Sequence, residues 1–120
     1  MTTSMVAAPP LTWTIEDDRR EALERCSALL AREGFIVSWV PAPSARKGVR
    51  TPDLLAASGP RVVRVFVLLD REVDAPRTKA RIRAALREGE TRVCVSWPLR
   101  WRVLSNLARW GLDGASVAGW

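Results

Sequence analysis

Histidine and tyrosine are both absent from the 120 residues, and cysteine and lysine occur twice each. Without an imidazole, a His-based catalytic triad, a His metal site and a His general base are all excluded. Cys26 falls in a predicted helix and Cys94 in a predicted strand, and neither has a second Cys at metal-ligand spacing. That pattern reads as two buried, reduced thiols rather than a disulfide. The opening MTTSMVAAPP lacks the basic start and apolar core of a signal peptide, and no apolar run approaches the roughly 18 residues of a membrane span. A cytoplasmic protein is the expectation. Nor is there an internal repeat, a zinc-finger spacing or a glycine-rich phosphate loop, so sequence-specific DNA readout gains no support.

What is present suffices for a folded domain. Hydrophobic residues make up 48% and charged residues 27%, too apolar for disorder, and the length buries a core without metal or disulfide staples. One domain over residues 12–120 is expected, preceded by a flexible leader over residues 1–11. The net charge of +6 is uneven: the first 34 residues carry 4 basic and 6 acidic side chains, the rest 15 and 7. Such a positive field favours a polyanion, either nucleic acid or an acidic protein surface, and weakens with salt.

Thr14 is a helix N-cap with Asp17 close to capping-box position, and Ile15, Ala22, Leu23, Cys26, Leu29 and Leu30 fall on one helical face before Gly34 ends the run. Residues 35–40 are a short strand stopped by Pro41 and Pro43. The loop "PAPSARKGVRTPD" gathers Arg46, Lys47 and Arg50. Residues 53–57 form a second strand, turning at Ser58, Gly59 and Pro60 into a third over 61–69, apolar enough for the middle of a sheet covered on both faces. Asp74 is placed to cap a helix in which Thr78, Ile82, Ala85 and Leu86 form the buried stripe while Arg77, Arg81, Arg83 and Arg87 point elsewhere. Gly89 closes it. Residues 91–97 are a fourth strand, and Pro98 opens a last helix over 99–110 that Gly111 ends, with Trp97, Trp101, Leu104 and Ala108 as its buried stripe. Residues 114–120 stay unassigned, although Val117 and Trp120 can tack onto a sheet edge. The expected architecture is α/β: a mixed four-stranded sheet flanked by helices in the order αβββαβα.

That order, with Pro52-Asp53 opening the second strand, resembles the PD-(D/E)xK nuclease superfamily. The stretch "TPDLLAASGPRVVRVFVLLDREV" resembles in particular the nuclease-like domain of plasmid replication-relaxation proteins, where a PD strand turns into a strand ending in a Leu-Glu-Val-Asp-Arg pattern. The following helix and the strand "TRVCVSW" sit as in that family, and the resemblance spans roughly residues 12–110. It implies a restriction-endonuclease-like fold and, in an active member, carboxylates converging on Mg²⁺ with a lysine beside them. Asp53 matches the first carboxylate, and Glu21 or Glu24 approaches from the first helix. If Asp70-Arg71 matches the family's Asp-Arg, the metal-binding Glu falls on Leu68, which coordinates nothing. Shifting the register to make Asp70 the acid puts Glu72 where the lysine belongs, leaving Lys79 as a relocated one.

The resemblance therefore implies a binding module with a degenerate nuclease site and no cofactor. It would contact DNA, or dock in a nucleoprotein or other protein assembly, through Arg46, Lys47, Arg50, Arg77, Arg81, Arg83, Arg87, Arg100 and Arg102, with exposed tryptophans such as Trp13 or Trp120 as anchors. Two alternatives stay open. One is an active Mg²⁺-dependent DNA nuclease using Asp53, Asp70 and Glu24 as metal ligands with Lys79; the other is a protein adaptor with no nucleic-acid role.

Overall fold

The computed structural model describes residues 15–41 and 51–120. The expected leader, the Thr14 cap, Trp13 and the Arg46, Lys47 and Arg50 cluster lie outside those residues. The chain runs α1 (Ile15–Arg32), β1 (Ile36–Trp39), β2 (Leu54–Ser58), β3 (Arg61–Val67), a 3-10 turn (Asp70–Glu72), α2 (Pro76–Glu88), β4 (Thr91–Val95), a second 3-10 turn (Trp97–Leu99), α3 (Arg100–Trp110) and β5 (Ser116–Gly119). The five strands form one sheet in the order β1-β2-β3-β4-β5. β1, β2 and β3 are an antiparallel meander, while β3, β4 and β5 are parallel, so α2 and α3 serve as the two crossovers. The α/β class and the mixed sheet are as expected. The strand count is five rather than four, because β5 pairs beside β4 with little but Val117 to signal a strand.

The alternation of β3 sorts the core into two layers. Val63, Val65 and Val67 point toward Ala22, Cys26 and Leu30 of α1, while Phe66 faces Ile82 and Ala85 of α2 and Val103 and Leu107 of α3. α2 and α3 cover only the β3-to-β5 half of their side. On the remaining half, Ile36, Ala57 and Val62 lie in register across three strands, and Ile36 and Val62 are exposed.

Cys26 and Cys94 meet in the α1 layer as free, fully buried thiols. The thiol–thiol hydrogen bond to Cys94, with burial, pushes the Cys26 thiol far above its ordinary range. Iodoacetamide should therefore modify neither cysteine in the folded protein and both in urea, counted by intact mass. Rapid alkylation of native Cys26 would contradict this packing.

Two helix readings need correction. Asp74 does not cap α2: Ala75 occupies the N-cap with no side-chain bond. The Asp74 carboxylate instead accepts from Asn106 Nδ2 at 2.6 Å and pairs with Arg102 at 3.3 Å. Asn106, buried on α3, also donates to the Val73 carbonyl at 3.1 Å, pinning α3 to the start of α2. The larger correction concerns the rotation of α3. Val103, Asn106 and Leu107 face the sheet, and Trp101, Leu104 and Ala108 face solvent. α3 carries two apolar stripes at helical spacing, and its attachment chooses between them. Trp97 N–H donates to Trp120 O at 2.8 Å and Trp120 N–H to Val95 O at 3.1 Å, tying the turn before α3 to the end of β5. The row of Val103, Asn106 and Leu107 then fills the interior, and the tryptophan row is left outside.

Candidate functional site

The start of β2 and the end of β3 are neighbours in the meander, which brings Asp53 beside Val67. Asp53 N–H donates to Val65 O at 2.9 Å, and Val67 N–H donates to Asp53 Oδ2 at 2.8 Å. The other carboxylate oxygen accepts from Arg81 Nη2 at 3.2 Å, and the same nitrogen donates to Thr51 O at 2.8 Å. The two side chains are only 9% and 6% exposed. Behind them the Arg81 guanidinium lies 4.8 Å from the Phe66 ring centroid. Arg81, expected on the outer cationic face, is thus turned inward onto the carboxylate.

A second arginine closes the far wall. Arg19 of α1 donates to Val67 O at 2.7 Å and forms an ion pair with Glu72. Glu72 also accepts from Leu69 N–H at 2.8 Å, which closes the 3-10 turn. Between the pairs opens a cleft of about 600 Å³, walled by Arg19, Arg77, Arg81, Asp53, Glu72, Trp39 and Leu23. Its carboxylates are already neutralised by guanidinium groups.

The other sequence candidates stand elsewhere. Leu68 is buried in the core beneath α2 and α3. Asp70 is exposed, held by Arg102 at 3.0 Å, and lines a separate depression of about 380 Å³ with Asp18 and Glu21. Glu24 lies in a third depression with Asp17 and Arg20. Asp53, Asp70 and Glu24 therefore do not share a pocket, and among the described residues no three His, Cys, Asp or Glu side chains are grouped to hold a metal ion.

On the outer face of α2, Lys79, Arg83 and Arg87 stand at every fourth position, about 6 Å apart along the axis. None of the three has an acidic partner among the described residues. Several other arginines are paired with acids: Arg25 with Glu21 at 3.1 Å, Arg64 with Glu88 at 3.5 Å, Arg92 with Glu33 at 2.9 Å. Arg102 is held by Asp70 and Asp74, and Arg109 donates to Asn106 Oδ1 at 2.8 Å.

The roles of Arg19 and Arg81 were not anticipated, although the sequence carried a signal. Arg19 precedes Ala22 by three residues and Cys26 by seven; Arg81 follows Thr78 by three and precedes Ala85 by four. An arginine at an apolar-stripe position must find a buried acid or carbonyl. Among the described residues no helix is long and apolar enough to cross a membrane. Comparisons of the chain with protein-family models, curated proteins and solved structures find no match.

Proposed function

We propose that this chain is a restriction-endonuclease-like scaffold of the PD-(D/E)xK type, nearest to the nuclease-like domain of plasmid replication-relaxation proteins, that holds DNA without cutting it. Three features support the scaffold: the antiparallel meander followed by a helical crossover to a parallel strand, Pro52-Asp53 opening β2, and Asp53 beside the end of β3. The observation that carries the loss of cutting is the Arg81 guanidinium on the Asp53 carboxylate, 3.2 Å away and buried with it. A cation at that distance opposes a divalent ion at the same oxygens. The second acidic position of the matched pattern is the buried Leu68. These donors do not fit Mg²⁺, which needs several free hard oxygens.

Binding is assigned to the outer row of α2. Among the described residues Lys79, Arg83 and Arg87 have no acidic partner, and their spacing suits successive phosphates, contacts that carry no sequence information. Affinity should thus be independent of sequence and fall steeply with salt. Three neutralised phosphates give a log–log slope of about −2.7, and each of Lys79→Gln, Arg83→Gln and Arg87→Gln should remove about 0.9 of it. Fluorescence anisotropy with a labelled duplex across a salt series measures this. The same preparations should leave supercoiled and branched DNA intact with Mg²⁺ or Mn²⁺. Cleavage abolished by Asp53→Asn would overturn the reading in favour of a nuclease, and absence of DNA binding at low ionic strength would leave the adaptor reading standing.

A further inference from the structure

We infer that the outer face of α3, together with Trp97, docks an acidic amphipathic helix of another protein. This surface is separate from the α2 row, and the inference stands whether or not that row binds DNA.

Trp97 is 54% exposed, Trp101 69% and Leu104 38%, and Ala108 extends the row along about two helical turns. Trp97 is firmly seated: a Cβ placed on Gly119 would lie 3.1 Å from its ring. The Arg100 guanidinium lies 3.6 Å from the Trp97 centroid and 4.7 Å from that of Trp101. Arg100 has no hydrogen bond or ion pair to any described residue, and its buried Nε has no partner. The result is a stacked, pre-oriented fork of donors set beside an apolar row, which suits a carboxylate carried next to apolar side chains. Tryptophan and arginine are also the side chains that most often dominate protein interfaces.

The charge pattern selects the occupant. α3 contains no acidic residue, so a partner carrying Asp or Glu beside its apolar row meets no like charge on this helix. A nucleic acid is a poorer match: Trp97 and Trp101 offer faces to bases, but Arg102 and Arg109, which would hold the phosphates, are already engaged, and the row continues with the aliphatic Leu104 and Ala108. A second copy is a poorer match too. Its acid-rich helix α1 turns Ala22, Cys26 and Leu30 inward and exposes Glu16, Glu21, Glu24 and Arg25, which offers charge without an apolar row. A helix with apolar residues at i, i+3, i+4 and i+7 and acidic flanks supplies both.

The test is selection from a displayed library of 18-residue helical peptides in which the flanking positions vary among Glu, Gln and Lys. Selection should enrich Glu flanks. The recovered peptides should bind Trp101→Ala about thirty-fold more weakly and Arg100→Gln about ten-fold more weakly, with the urea midpoints of both variants unchanged. No enrichment, Lys-flanked binders, or binders indifferent to Trp101→Ala would overturn the inference. Binding of oligo-dT that Trp101→Ala abolishes would replace it with base stacking, and a sedimenting dimer that the same variant dissolves would replace it with self-association.

Discussion

Replacing Asp53 with alanine is expected to lower folding stability by about 3–5 kcal/mol, because it strands the Arg81 guanidinium in the interior without its counter-charge. Arg81 is 8% exposed and lies against the Phe66 ring, so water cannot replace the lost carboxylate without opening the core. The Val67 N–H would lose its acceptor as well. Urea denaturation of the parent, Asp53→Ala, Arg81→Met and the double variant Asp53→Leu/Arg81→Met measures the effect. The double variant should recover most of the loss, since an apolar pair of similar bulk removes both desolvation penalties. An Asp53→Ala midpoint equal to the parent's would mean that the pair is not buried as described.

Phe66→Ala is expected to cost a comparable 3–5 kcal/mol, read from the same curves. Phe66 is fully buried and packs where β3 meets both α2 and α3, so its removal leaves a cavity on the side of the sheet that carries both crossovers. Phe66→Leu should cost markedly less. The ring also backs Arg81, so the losses from Phe66→Ala and Asp53→Ala should not add; a cycle between them should show an interaction of about 0.5–3 kcal/mol. Strict additivity would mean that the ring plays no part in holding Arg81 on the carboxylate.

Most of the framework was legible because local signals and tertiary packing agree. The apolar run of β3 marked the sheet centre, and Gly111, with φ of +71°, marked where α3 stops. Packing partners were less legible. The tryptophan stripe of α3 obeys helical spacing as well as the stripe that is buried, and long-range bonds, from Trp97 N–H to Trp120 O and from Asn106 to Val73 and Asp74, accompany the observed rotation. Arg81 looked like one more cation in a basic helix, since its acid lies 28 positions earlier in the chain. Asp53 stood out in the sequence beside Pro52, but nothing near it in the chain announced its pairing with Arg81. A motif identifies a side chain without saying which distant group will cover it.

The open half of the sheet has a consequence for how the molecule comes apart. β1 has one hydrogen-bonded neighbour, four residues and an exposed Ile36, whereas β3 is sandwiched between layers. Warming should therefore loosen β1 while the centre still holds, baring the outer edge of β2 and its unpaired amides next to Val62. A molecule in that half-opened state offers a template for another strand, so the first irreversible losses on heating should scale with protein concentration rather than with time alone.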